Sequence, residues 1–231
     1  GDEVMNYTET YVILYDNAGN VTGSSISEVT YYYYGEGASL ASETSLYADE
    51  PLTCSKTFGY DNETKVATNL KSESLYVGYK SEEKLKTTYT YFHNAETSTD
   101  VKVQRTDYVY HADDRMDQVK TYDIKGKDAA STDLLVNLTQ YNYDTGMLRF
   151  RLLSTTTTGW QYVAQNALML SGLYTTQTAY NIYQIQESSI TNGVTGRDLT
   201  TADAIITGSY KTTNEYDYFG TQTETATFGQ S

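Results

Sequence analysis

The fold is decided by the stretch Tyr108-Val-Tyr-His-Ala-Asp-Asp-Arg-Met-Asp-Gln-Val-Lys-Thr-Tyr122. Tyrosines two apart lead into four residues rich in Asp, and alternation resumes at Met116 and runs, with one slip, to Tyr122. In a strand, residues i and i+2 face the same side, so Tyr108 and Tyr110 point one way and Val109 the other. The His111 to Asp114 segment carries turn chemistry, because Asp side chains bond nearby backbone and tolerate unusual dihedrals. The stretch reads as a β-hairpin.

Working outward, the same unit recurs. Tyr-Asp, two free positions and Gly appear intact as Tyr15-Asp-Asn-Ala-Gly19, Tyr122-Asp-Ile-Lys-Gly126 and Tyr216-Asp-Tyr-Phe-Gly220. Altered copies are Tyr60-Asp-Asn-Glu-Thr64, Tyr110-His-Ala-Asp-Asp114 and the shortened Tyr143-Asp-Thr-Gly146. Tyr ends the incoming strand, Asp caps the turn, and Gly takes a positive-φ position. Gly19, Gly126 and Gly220 are therefore expected at hairpin tips. Asp16, Asp123 and Asp217 are expected to accept backbone hydrogen bonds there. Asn192-Gly193 gives a further hairpin signal. Short strands and turns alternate throughout, which predicts an all-β chain. The expectation is an antiparallel meander of tandem hairpins in one extended sheet that curls on itself, with closure into a barrel left open. One domain is expected over residues 1–231, with 1–10 as a frayed lead-in.

This unit resembles the YD-repeat (Rhs-type) family of tandem hairpins in bacterial secreted and wall-associated proteins. About six units from Tyr15 to Gly220 carry the resemblance. The spacing is irregular and the Arg-Leu that often follows the Gly is mostly absent. The form is therefore closer to the curled sheets of surface lipoproteins of Bacteroides-like bacteria. The resemblance implies a place outside the cytoplasm, at a bacterial cell surface or facing the periplasm. The chain opens Gly1-Asp2-Glu3 without a Met, which reads as a cut or engineered beginning, and a place outside the cytoplasm carries the expectation of a signal or lipobox upstream of Asp2. A lipid anchor there would be the only membrane link.

Composition narrows the classes further. The 231 residues carry a formal net charge of −14 and include 25 Tyr against 5 Phe and 1 Trp. Tyr suits strands and half-buried surfaces. No Lys or Arg precedes Lys56, and from Lys56 to Arg151 bases and acids nearly balance. No surplus of positive charge offers a nucleic-acid face. Cys54 is the single cysteine, so no intramolecular disulfide forms and a buried strand residue is expected.

Catalytic constellations are missing. The two histidines, His93 and His111, fall at turns, and no Gly-x-Ser-x-Gly elbow or phosphate-cradling glycine loop occurs. Asp113, Asp114 and Asp117 lack the spacing of a Ca²⁺ loop and read as a solvated tip. No metal or cofactor is expected, and the chain is read as not an enzyme. A glycosidase pair cannot be singled out among 30 acids. An outer-membrane barrel would need a continuous apolar lipid face, which Thr88, Thr90 and Lys102 interrupt.

The candidate surface lies in Leu152 to Gln186, 35 positions without a charged residue. Aromatic rings beside amides and hydroxyls suit a glycan or a protein partner. Trp160, Tyr162, Tyr174, Tyr180 and Tyr183 are the residues named for it. The alternatives are that these side chains build a core and that the chain is a purely structural spacer or shell. A helix through Val163 to Leu173 is the other reading of this segment, opposed by Asn166, Ser171 and Gly172.

Overall fold

The structure, a computed structural model, describes residues 5–36, 38–40, 50–124, 133–144, 151–163, 166–200 and 203–230, with the backbone alone at 166–168. It is all-β. The strands are β1 (Tyr7–Tyr15), β2 (Val21–Tyr34), β3 (Ser39–Leu40), β4 (Leu52–Asp61), β5 (Val66–Val77), β6 (Lys84–Asn94) and β7 (Thr99–Tyr110). They continue as β8 (Met116–Asp123), β9 (Leu134–Tyr143), β10 (Leu152–Val163), β11 (Asn166–Tyr180), β12 (Gln186–Arg197), β13 (Ile205–Tyr216) and β14 (Gln222–Gln230). The sheet is one antiparallel meander in chain order, with the two-residue β3 paired off the path to β2. Among the described residues, β1 pairs only with β2 and β14 only with β13. No further described strand pairs with either edge, so the described strands do not close into a barrel.

The chain divides into two compact units, Gly1–Asp107 with Ile124–Ser131, and Tyr108–Asp123 with Thr132–Ser231. Among the described residues no second layer covers the sheet of either unit: the substantial contacts between elements join strands adjacent in the sheet. Only Val29, Tyr34, Cys54 and Leu170 are buried among the described apolar side chains, and no large side chain is wholly enclosed. Each unit is held by rows of side chains running across its strands, the unit of stabilisation in a sheet.

The first unit builds its main row from charge and aromatic rings. Tyr31, Lys56, Glu73, Tyr89 and Arg105 stand opposite one another from β2 to β7. Glu73 is the hub, with Lys56 Nζ at 3.3 Å, Lys102 Nζ at 3.8 Å and the Tyr91 hydroxyl donating to it at 2.9 Å. Lys102 also lies 3.7 Å from the centre of the Tyr89 ring, a cation–π contact. Burial, and next the bond to Glu73, raise the Tyr91 hydroxyl pKa well above the usual tyrosine value.

The second unit builds two of its rows without charge. Thr139, Thr157, Thr176, Thr191, Thr212 and Thr227 form one row across β9 to β14. Hydroxyls bond in alternate pairs, Thr139 with Thr157 (2.9 Å), Thr176 with Thr191 (2.8 Å) and Thr212 with Thr227 (3.0 Å). Two residues along each strand, on the same face, runs Asn137, Gly159, Tyr174, Gly193, Tyr210 and Gly229. A Cβ on Gly159 would fall 2.1 Å from the Tyr174 ring, and one on Gly193 would fall 2.2 Å from the Tyr210 ring. Each tyrosine therefore lies flat over the glycine of the preceding strand.

That packing corrects the reading of Asn192-Gly193 as a hairpin. The pair sits in the middle of β12, where Gly193 makes room for Tyr210. The helix alternative over 163–173 is also absent, since β10 reaches Val163 and β11 starts at Asn166. Residues Tyr7 to Thr10, read as a frayed lead-in, pair with Tyr31 to Glu28. Cys54 is buried in β4, and burial raises its thiol pKa.

Candidate functional site: aromatic residues on two hairpin tips

The tips follow one backbone rule. In Asp16–Asn20, His111–Arg115, Asn181–Ile185 and Asp217–Thr221 the first residue's N–H donates to the fifth carbonyl at 2.8–2.9 Å. The fourth N–H donates back to the first carbonyl at 3.0–3.1 Å. The fourth residue has positive φ: Gly19 +83°, Asp114 +72°, Gln184 +66° and Gly220 +82°. This is the three-residue hairpin loop closed by a left-handed residue.

The capping carboxylates act as expected at the two described Gly turns. Asp16 Oδ1 accepts from Ala18 N (2.9 Å) and Asn20 N (2.8 Å), and Asp217 Oδ1 accepts from Phe219 N and Thr221 N, both at 2.9 Å. Asn181 Oδ1 does the same for Tyr183 N (2.9 Å) and Ile185 N (3.1 Å). The turn Tyr180-Asn-Ile-Tyr-Gln184 is thus a member that the Tyr-Asp-x-x-Gly pattern missed, because Asn replaces Asp and Gln replaces Gly. In the Tyr60 copy the left-handed residue is Lys65 (φ +57°), one later than the pattern placed it. Asn94 caps a matching four-residue loop that ends at Ser98 (φ +52°). Gly126 and Gly146 lie outside the described residues.

In the second unit the Asn181 and Asp217 turns join successive hairpins at the same end of the sheet. With their caps turned inward, the two corner residues of each loop point outward. These are Ile182, Tyr183, Tyr218 and Phe219, exposed by 66, 58, 55 and 83 %. Tyr183 and Tyr218 meet across the gap with ring centres 5.1 Å apart at 73°, and Tyr218 meets Phe219 at 5.5 Å and 88°. Edge-to-face geometry is the favourable one for aromatic pairs. A shallow pocket bounded by Asn181, Tyr183, Glu187, Tyr216, Asp217 and Tyr218 lies at its base.

Of the five aromatic residues named from the sequence, Tyr183 alone belongs to this cluster. Trp160 and Tyr162 share one face of β10, opposite Leu173 and Leu170. The Tyr162 hydroxyl donates to the Leu135 carbonyl at 3.2 Å, and burial raises its pKa. Tyr174 lies on the other face over Gly159, its hydroxyl accepting from Asn137 Nδ2 at 3.3 Å. Tyr180 is half-buried at the end of β11, opposite Gln186. The signal that finds Tyr218 and Phe219 is the intact Tyr216-Asp-Tyr-Phe-Gly220 motif, whose two free positions are both aromatic.

The titratable groups elsewhere pair locally. His93 Nδ1 lies 2.8 Å from Asp100 Oδ1, which also belongs to a carboxylate that accepts from the Leu70 N–H. His111 Nε2 lies 3.6 Å from Asp117, and Arg115 grips Asp113 at 2.6 Å while lying 4.6 Å from the Tyr143 ring centre. Among the described residues no three His, Cys, Asp or Glu side chains are grouped to hold a metal ion. No family model matches the chain, and no curated protein matches it.

Proposed function

We propose that the chain is a non-catalytic β-repeat binding module that works outside the cytoplasm and engages a protein partner through Ile182, Tyr183, Tyr218 and Phe219. The observation that carries the proposal is the exposure of these four side chains together on two adjacent tips. Exposed aromatic clusters mark interaction sites, and Tyr and Phe anchor interface cores. Perpendicular rings form a knob rather than a flat platform, which suits an apolar pocket better than a stacked sugar ring. The Oδ1 atoms of Asn181 and Asp217 are occupied by the turns themselves. The Tyr-Asp-x-x-Gly turns support kinship with the YD-repeat family, and with it a location at a bacterial surface, anchored through a lipid upstream.

The test is a displayed-peptide library and a glycan array, each probed with the wild-type chain and with Tyr218→Ser/Phe219→Ser. Peptide ligands that the double variant loses while keeping its melting temperature support the proposal. Glycan ligands lost in the same way would change the partner class. Silence on both formats would favour the purely structural spacer.

A further inference from the structure

Among the described residues, the first strand of the sheet is an edge without a guard. Strand edges present unpaired N–H and C=O groups, and proteins usually protect them with Lys, Pro, bulges or a covering segment. β1 carries one charge, Glu9, and neither Lys nor Pro. Both irregularities of its pairing place the extra residue on β2, at Ser27 and Thr22, so β1 itself runs regularly. Tyr11 to Tyr15 are five consecutive large apolar residues, each 45–61 % exposed. The Tyr32 N–H donates to the Asn6 carbonyl at 3.0 Å. Alternation along the strand then points Thr8 and Thr10 at β2 and turns the backbone groups of Tyr7, Glu9, Tyr11, Ile13 and Tyr15 outward.

We infer that β1 pairs antiparallel with β1 of a second copy, about a two-fold axis through Tyr11. Its sequence is self-complementary about that point. Tyr7 meets Tyr15 of the other copy, Tyr11 meets Tyr11, and Tyr15 meets Tyr7, giving three aromatic cross-strand pairs on one face. On the other face Thr8 meets Leu14, and Thr10 meets Val12. The charges select this arrangement: Glu9 faces Ile13 of the second copy, so no like charges are opposed. Parallel pairing in register would set Glu9, the strand's one charged residue, against Glu9 of the second acidic chain. The contact is isologous and closes at two copies. Pairing of β1 with β14 of another copy would instead propagate without closing.

Sedimentation or light scattering across a concentration series tests the inference directly. The expected mass is twice the 25.9 kDa of the chain. Tyr11→Lys opposes two charges on the axis and should raise the dissociation constant by about tenfold or more. Its melting temperature and circular dichroism report whether the fold survives. Thr225→Lys on the other edge should leave the dimer intact. A second measurement needs no destabilising change: a spin label at Tyr11→Cys, with Cys54→Ser, should show strong dipolar broadening between copies. A monomer at all concentrations, masses growing beyond two, a dimer indifferent to Tyr11→Lys, dissociation by Thr225→Lys, or an unbroadened label would each overturn the inference.

Discussion

The two units solve one problem with different chemistry. Neither buries a core of the usual kind, so each relies on rows across its strands. The first ties its row together through Glu73, two lysines and tyrosine rings. The second lays tyrosines over glycines and pairs threonine hydroxyls, with no ion pair in either row. The difference shows that an uncovered sheet can be specified by cross-strand complementarity of quite different kinds. It also sets how the rows should respond to salt, acid and substitution: the Glu73 row electrostatically, the tyrosine-on-glycine row sterically, while hydroxyl pairs such as Thr30 with Thr57 (2.8 Å) are common to both units.

The largest expected effect is at the hub of the first unit. The Glu73 side chain is 16 % exposed, and Glu73→Ala leaves Lys56, Lys102 and the Tyr91 hydroxyl without their shared acceptor. A loss of about 2 kcal/mol in urea unfolding is expected. Next comes the tyrosine-on-glycine row. Gly193→Val evicts the Tyr210 ring, and Tyr210→Ala removes it, so the two changes share one loss. A double-mutant cycle should give a coupling of about 1 kcal/mol, whereas additive effects would mean that the ring does not pack on the glycine.

The turns allow a smaller, signed test. Gln184 holds a left-handed conformation that Gly19 and Gly220 hold freely. Gln184 also accepts from the Leu152 N–H at 3.1 Å through its Oε1, so the cleaner change is at the left-handed Lys65 (φ +57°). Lys65→Gly should raise stability by about 0.5–1 kcal/mol, and Gly19→Val should lower it by about 1 kcal/mol or more.

Acid should discriminate between the units most gently. The Asn20 side chain holds the Asp16 pKa below the usual carboxylate value, the Thr64 hydroxyl does so for Asp61, and the Leu70 N–H does so for Asp100. All three lie in the first unit; in the second, Arg115 lowers Asp113. A depressed pKa stabilises the fold above the unfolded carboxylate value, and that contribution is lost as pH falls through the folded one. Melting followed by probes in each unit should show the first softening earlier as pH drops below about 4. Equal softening would contradict the assignment.

The hairpin alphabet was legible because turn chemistry is local. Tyr15-Asp-Asn-Ala-Gly19 and Tyr216-Asp-Tyr-Phe-Gly220 identify their loops without reference to the rest of the chain. The Asn181 turn escaped because Asn can cap as Asp does, and because Gln184 pays the left-handed cost that Gly would avoid. Asn192-Gly193 misled for the opposite reason. Its glycine serves a ring on the neighbouring strand, and no local pattern encodes which strands become neighbours. The same non-locality separated Trp160 and Tyr162 from Tyr174: strand parity placed them on opposite faces. It also joined Tyr183 to Tyr218 and Phe219 across the 34 residues that separate Tyr183 from Tyr218.

The most direct test of the contrast is peptide-resolved hydrogen exchange of the wild-type chain at low and high salt. Screening weakens exposed and half-buried ion pairs and leaves hydroxyl and steric packing alone. Protection in β4, β5 and β6 should fall as salt rises while protection in β11, β12 and β13 stays unchanged. A uniform response across both sets of strands, or a larger loss in β11 to β13, would contradict the account.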